Sequence, residues 1–478
     1  MLPTPVNYNI RPAVVQADVP TEMTVAPEEK AFIFPDGAPY RLIVIPINGD
    51  EPDYQFPIAR EVVDVTAADG VLRFTHTFRG EQEYLIQMEY AEKKVAEFYV
   101  FAAEEDLYRL RPLKGDLHAH SYRSDGKRDP AALAGHYREQ GYDFFALTDH
   151  NRYYPGGEID ETYAGVNMAF RRVYGEEVHA PVSTVHIVHV GGKQSVTERY
   201  VHDREAYEAE VAEYKTRVPE SVPEQYRYRY ARAMWATDRI HEAGGVAIFA
   251  HPYWRPSGRV YNVCDEFARI LLMSGMFDAY ELIGGMGQPG NNRSVALWSE
   301  LRAEGLKISV VGSSDVHGIE KAETFPHYFT ICFAEANEND AVADAVKAGY
   351  SVAVESVGSE YARQFRCYGS LRLVTYANFL LKTYFPAMQR ICQGEGAAMR
   401  AYAMNDAPAA LIELQSAQSE KFAARFFGRE KCLTPTPPRL HSRKSGALFS
   451  WTVPLPREAR STRQNRISRS DRMPVFFG

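Results

Sequence analysis

From Ala31 to about Arg111 apolar and polar residues alternate with a period of two. In "VLRFTHTFRGEQEYLIQMEY", Leu72, Phe74, His76 and Phe78 alternate with Arg73, Thr75 and Thr77. This is the pattern of strands with one face buried and the other in water. Asp-Gly, Asn-Gly and Arg-Gly pairs punctuate the runs as hairpin turns do. Residues 1–112 are therefore expected to form a small antiparallel β-sandwich.

From Leu113 to about Ser356 the pattern changes. The runs "DFFALTDH", "GVAIFAHP", "FDAYELIGG" and "KISVVGSSDVHG" are apolar and then stop at polar or glycine residues. Helical stretches ending in glycine precede several of them, as in "ALAGHYREQGYDFFALTDH" and "ATDRIHEAGGVAIFAHP". Buried strands alternating with helices predict an α/β domain over 113–356 with a parallel sheet closed into a barrel. Helix-period segments, "LVTYANFLLKTYFPAMQRIC" and "APAALIELQSAQSEKFAARFF", predict a helical appendage over 357–430. The stretch 431–478 carries ten Lys or Arg against two acids, with several prolines, and is expected to be a basic, disordered tail. A basic arm contacting nucleic acid is the competing reading.

Composition narrows the classes of partner. The net charge of −8 argues against a chain that coats nucleic acid or an anionic membrane. Neither a basic start followed by an apolar run nor eighteen consecutive apolar residues is present, so no membrane partner and no secretion are expected. Five cysteines, Cys264, Cys332, Cys367, Cys392 and Cys432, are never paired as CxxC and suit buried thiols in a reducing cytosol.

Candidate chemistry lies in 113–356, where the residues that end the apolar runs are repeatedly histidine or carboxylate. "DLHAHS" contributes His118 and His120, "SDG" Asp125, "LTDHN" Asp149 and His150, and "YGEEVHA" Glu176, Glu177 and His179. "VHIVHVGG" adds His186 and His189, "FAHPYW" His251, and "GSSDVHG" Asp315 and His317. The C-terminal strand ends of a parallel barrel meet at one mouth, so groups scattered along the chain can converge. Residues two apart in a strand share a face, which pairs His118 with His120 and Asp315 with His317. Imidazole and carboxylate without thiolate suit zinc, manganese or iron. The groups outnumber the ligands of one tetrahedral ion, so two or three divalent ions are expected.

In this order, "HAHSYRSDG", "TDHN", "GEEV", "HIVHVGG", "AHPYW" and "SSDVHG" resemble the PHP (polymerase and histidinol phosphatase) superfamily over Leu113 to Ser356. The resemblance implies a distorted (β/α)7 barrel holding up to three metal ions. By position it implies that His118, His120, Glu177 and Asp315 hold one ion. Glu177 would bridge to a second, also held by His186 and His251, and Asp125, His150 and His317 would hold the third. Glu177 is preferred to Glu176 because family members place this ligand two residues after a glycine, here Gly175. His186 is preferred to His189 because "HIVHVGG" resembles the family's histidine-led strand.

The reading that follows is a metal-dependent phosphoric ester hydrolase acting on a small phosphorylated metabolite or nucleotide. Hydroxide generated at the metals would attack phosphorus directly, and Asp125, His317 or a metal-bound water would protonate the leaving group. Arg123, Lys127, Arg152, Lys193 and Arg255 are candidates to hold phosphate, and Tyr253 and Trp254 to wall the mouth. Two other readings compete: a nuclease acting on the ends of short nucleic acids, which PHP relatives also include, and a non-enzymatic binding protein that works through its β-sandwich. Tyr200, Tyr207 and Tyr214 repeat every seven residues and read as a packing stripe of an inserted helical segment.

Overall fold

The alternating N-terminal segment folds into two sheets. The chain is described by a computed structural model, which covers residues 7–49, 60–319, 324–358 and 364–429. The segment read as a basic tail, 431–478, lies outside the described residues. One sheet orders β1 (Tyr8–Arg11), β3 (Pro20–Pro27) and β6 (Leu72–Thr77). The other orders β2 (Val14–Gln16), β8 (Lys93–Ala103), β7 (Gln82–Tyr90), β4 (Pro39–Pro46) and β5 (Glu61–Thr66). Pairing is antiparallel throughout except between β2 and β8. Along β6, Leu72, Phe74 and His76 are buried while Arg73 and Thr75 face water. Val25, Leu42, Leu72 and Ile86 meet in the core between the sheets, each contributing about 1.5–3 kcal/mol by burial.

After α1 (Glu105–Arg109), β9 (Arg111–Asp116) enters a six-stranded sheet. Its order is β11 (Arg171–Val173), β10 (Phe144–Ala146), β9, β17 (Tyr328–Ala334), β18 (Ser351–Val357), β19 (Gln364–Tyr368). A five-stranded sheet orders β12 (Gly175–Val178), β13 (Ile187–Val190), β14 (Val246–Phe249), β15 (Ala279–Ile283) and β16 (Ser309–Gly312). The two sheets join at two seams. Ala119 pairs with Val316 beyond the ends of β9 and β16, and His150 pairs with Glu177 beyond β10, both in parallel sense.

The fold is thus mixed α/β, and it departs from the expected parallel barrel in two ways. β13 runs antiparallel to both neighbours, and β17, β18 and β19 add an antiparallel extension. Each seam is a single bridge where a regular barrel has a continuous ladder. The segment expected to be wholly helical after 356 also begins differently, since Gln364–Tyr368 forms the edge strand β19.

Helices cover the sheets. α2 (Pro130–Glu139) starts at Asp129, whose carboxylate accepts from the backbone N–H of Ala131 and Ala132, with proline in the first turn. It stops before Gly141, which takes the left-handed conformation (φ +75°). α3 (Pro155–Thr162) follows β10. Between β13 and β14 the insertion folds as α4 (Thr197–His202), α5 (Arg204–Thr216) and α6 (Glu224–Glu242). The tyrosine stripe is split by the cap at Asp203, and Tyr200 and Tyr207 pack on Trp235 of α6. α7 (Asp265–Met273), α8 (Gly287–Ala303) and α9 (Asn339–Lys347) complete this region.

The chain then turns into α10 (Leu371–Thr383), α11 (Phe385–Ala403) and α12 (Ala409–Phe426). These pack on both halves of the described chain. Phe101 of β8 stacks on Tyr376 of α10 at 4.5 Å, and Arg372 pairs with Glu81 and Asp106. Buried Arg138 of α2 donates to Glu395 Oε2 (2.8 Å) on α11 and to Ser419 Oγ (2.9 Å) on α12. Among the described residues no helix is long and apolar enough to cross a membrane.

Candidate metal centre

Strand direction decides which side chains meet. β9, β10, β14 and β16 run toward one rim and leave there His118 and His120, His150, His251, and Asp315 and His317. Because β13 runs the other way, the residue it leaves at that rim is the one before its start, His186, while His189 sits inside the strand. On β12 the neighbours Glu176 and Glu177 take opposite faces. Glu177 faces the rim histidines. Glu176 faces His189 (Nδ1–Oε1 3.1 Å) and accepts from Ser195 Oγ (2.8 Å) and Thr197 Oγ1.

Glu177 sits at the centre. Its Oε2 lies 3.4 Å from His118 Nε2, 3.5 Å from His120 Nε2 and 2.8 Å from His150 Nδ1. Its Oε1 lies 2.8 Å from His186 Nδ1 and 3.2 Å from His251 Nε2. Asp315 Oδ1 stands 3.3 Å from His118 Nε2 and 3.0 Å from His120 Nε2, and the two histidine nitrogens are 3.2 Å apart. On the outer side Asp125 Oδ2 is 3.3 Å from His317 Nε2 and 3.6 Å from His150 Nε2. The structure therefore brings close together the nine residues that the family resemblance implies as ligands.

Burial grades the cluster from inside to outside. The side chains of His118, His120 and Glu177 are wholly buried, whereas those of His317 and Asp125 are 39% and 54% exposed. Desolvation alone would keep His118 neutral, but the carboxylates of Asp315, Glu177 and Glu281 outweigh it and hold its pKa well above the ordinary value. For His120 burial wins and lowers the pKa. Burial would raise Glu177, yet the charges of His186 and His118 keep it well below the usual carboxylate range. Asp125, against its own partial burial, is held down at about 2 by His317, and His317 in turn is held up at about 9, chiefly by Asp125.

The backbone is strained where it presents the ligands. His251 (φ +25°) and Asp315 (φ +50°) occupy the left-handed region, which costs a non-glycine residue about 1–3 kcal/mol and clusters at functional sites. A methyl group at Gly285 would lie 2.6 Å from Asp315 Oδ2. Only glycine therefore admits that carboxylate.

The donor set fits a metal ion. Ligand atoms about 2 Å from a tetrahedrally held ion stand roughly 3.3 Å from one another. Five separations among His118 Nε2, His120 Nε2, Glu177 Oε2 and Asp315 Oδ1 run from 3.0 to 3.5 Å. His150 Nδ1 and Glu177 Oε2 are 2.8 Å apart, and both are buried without a correctly angled hydrogen bond. Such atoms converge on shared points more than on each other. The set contains imidazole and carboxylate but no thiolate, the chemistry of zinc, manganese or iron.

Beside the cluster lies a cavity of about 360 Å³. Among the described residues it is lined by Asp125, His150, His186, His251, Asp315 and His317, with Lys127, Trp254 and Thr324 at its wall. Most of the expected phosphate-binding residues are elsewhere. Arg123 is held by Glu158 (2.8 Å), Lys193 by Asp340 (2.7 Å), Arg152 lies against Tyr154, and Arg255 donates to the carbonyl of Gly258. Tyr253 is 1% exposed and packs in the core between Tyr261 and Arg293. Of the two aromatic residues expected at the mouth, Trp254, 39% exposed, lines the cavity. His179 stands beside His186, with ring centres 4.0 Å apart, but it is His186 that approaches Glu177, at 2.8 Å.

Two buried carboxylates stand behind the ligand candidates: Asp149, which ends an apolar run, and Glu281, which a reading of strand ends misses. Asp149 accepts from Ser121 Oγ (2.7 Å) and Ser124 Oγ (2.6 Å) and so pins the turn that carries Asp125. Glu281, fully buried within β15, approaches His118 Nδ1 at 2.8 Å. Its signal is an acid in the middle of the apolar run "AYELI".

No family model matches the chain, and no curated protein does. Among solved structures, a Bacteroides vulgatus two-domain protein described as containing a predicted PHP-like metal-dependent phosphoesterase is 15% identical. That similarity covers 55% of this chain and 76% of the other, with a TM-score of 0.35. A Bifidobacterium adolescentis protein classed provisionally as a metal-dependent phosphoesterase is 18% identical over 49% of this chain and 96% of the other, with a TM-score of 0.32. A Chromobacterium violaceum amidohydrolase with bound sulfate and no metal is 19% identical over 44% and 89%, with a TM-score of 0.30. Likenesses this distant identify no common activity.

Proposed function

We propose that this protein is a metal-dependent hydrolase of phosphate esters, acting on a small phosphorylated metabolite or nucleotide with two or three zinc, manganese or iron ions. The observation that carries the reading is Glu177, whose two oxygens face two separate sets of histidines. His118, His120, Glu177 and Asp315 would hold one ion, Glu177, His186 and His251 a second, and Asp125, His150 and His317 a third. Bound divalent ions supply Lewis acidity, which polarises a phosphoryl group and acidifies water.

The chain's own residues do the rest. Lys127, the only Lys or Arg among the described residues of the cavity wall, would pair with a phosphate oxygen. Trp254 would exclude water from one side and offer a flat apolar surface. With two ions bound and the third place empty, Asp125 Oδ2 and His317 Nε2, 3.3 Å apart and the most open pair of the nine, would be free to pass a proton to a leaving oxygen. A cavity of about 360 Å³ matches a small ligand, and its single basic side chain does not build a track for a long polyanion.

The test is elemental analysis of protein purified without chelator, followed by assay against phosphomonoesters, bisphosphorylated nucleotides and short oligonucleotides. At least two transition-metal equivalents per chain are expected, with phosphate release from a small substrate that chelation abolishes. One equivalent or fewer after reconstitution, or no phosphate release from any of the three classes, rejects the proposal.

A further inference from the structure

We infer that Glu281 is a positioning residue that fixes His118 as its Nδ1–H tautomer and so turns Nε2 toward the proposed metal centre; the inference rests on the metal-dependent reading above. A neutral imidazole carries one N–H, and the nitrogen facing an acceptor keeps it. Glu281 Oε2 lies 2.8 Å from His118 Nδ1. When a metal ion takes the place of the second proton, the remaining one belongs on Nδ1 and the lone pair on Nε2, the atom that stands 3.2–3.4 Å from His120 Nε2, Asp315 Oδ1 and Glu177 Oε2.

Fold stability does not account for Glu281. It is wholly buried in β15 between apolar neighbours, and its second oxygen, Oε1, has no hydrogen-bond partner among the described residues. A buried carboxylate with one partner costs more than an apolar residue of the same shape. A methyl group at Gly284 would lie 2.6 Å from the carbonyl oxygen of Ser313 and 2.8 Å from Glu281 Oε1, so glycine there lets the backbone pass close to both. Gly284 is clamped by buried Asn291 of α8, which accepts from its N–H (2.9 Å) and donates to its carbonyl (3.1 Å). The chain of contacts runs from α8 through Asn291 and Gly284 to Glu281 and ends on His118. A carboxylate behind a metal-binding imidazole raises its basicity, and losing such a partner weakens metal affinity by about 10- to 100-fold.

The experiment uses the full-length protein stripped of metal and titrated with zinc against a chromophoric chelator, in wild type and Glu281→Gln. The tightest site of the variant should be about 10- to 100-fold weaker, while the melting temperature of the metal-free variant stays equal or rises because a buried charge is gone. A second measurement needs no variant: in zinc-loaded wild type labelled with nitrogen-15 histidine, His118 should show a protonated Nδ1 and a coordinated Nε2. Equal zinc affinity in the two proteins, or coordination of His118 through Nδ1, overturns the role of Glu281 and leaves the metal centre standing. Failure of the wild type to take up zinc, manganese or iron overturns the metal-dependent reading and this inference with it.

Discussion

Glu177 and Glu176 are adjacent in sequence and equally buried, yet strand geometry sends them to different tasks. Glu177 touches five histidines across the rim, whereas Glu176 is fully used by His189, Ser195 and Thr197. Glu177→Gln is expected to cut phosphate release by at least about 100-fold, since an amide cannot supply two anionic oxygens. Glu176→Gln should leave turnover within a few-fold while lowering stability by about 1–3 kcal/mol through its weakened buried hydrogen bonds. Steady-state assay and chemical denaturation of both variants separate the two effects; the opposite ranking would exchange their roles. At this scale the polar groups that the structure gathers were visible in the sequence as residues that stop apolar runs. The partners of Arg123, Lys193 and Arg255 were not, because a flexible cation pairs with whichever carboxylate or carbonyl the fold brings near, and Glu158 and Asp340 lie far along the chain.

Elements show where local pattern runs out. β13 is four buried residues, "IVHV", and a strand buried on both faces reads the same in either direction. Its antiparallel course, which puts His186 and not His189 at the rim, is settled only by its neighbours β12 and β14. β19, "QFRCY", is a half-exposed edge strand with a weak alternation, and it was lost in a stretch otherwise of helical period. The helices were legible from their spacing, but not what fastens them. Arg138, 1% exposed, ties α2 to α11 and α12 through Glu395 and Ser419 and also donates to the carbonyl of Tyr142 (3.0 Å). Arg138→Met strands the buried carboxylate of Glu395, takes a partner from that of Asp143, and is expected to destabilise the protein by about 3–5 kcal/mol, while adding Glu395→Met should recover part of that loss. Urea denaturation followed by circular dichroism reads both; a harmless Arg138→Met would mean that α11 and α12 are held without this ion pair.

Across the whole molecule the proposed centre coincides with the places where the two large sheets meet. The seams consist of the bridges Ala119 with Val316 and His150 with Glu177, supported by N–H donation from His120 to Val316 (2.9 Å), Asp315 to His118 (2.9 Å) and Asn151 to Glu177 (3.0 Å). Nearly every residue in that description is also a ligand candidate or the neighbour of one. Bound ions would therefore act on these sheets as a hoop acts on the staves of a cask, drawing both seams shut with the side chains that serve the chemistry. Deuterium uptake should report it: chelation should speed exchange at the amides of His120, Asn151 and Asp315 by about 10-fold or more, while those of β7 and β8 in the N-terminal sheets keep their rates. Uniform exchange with and without metal would show seams that hold themselves. If the hoop is real, loss of metal does more than remove the proposed activity, because it opens the vessel at the two joints where the chain has least backbone to spare.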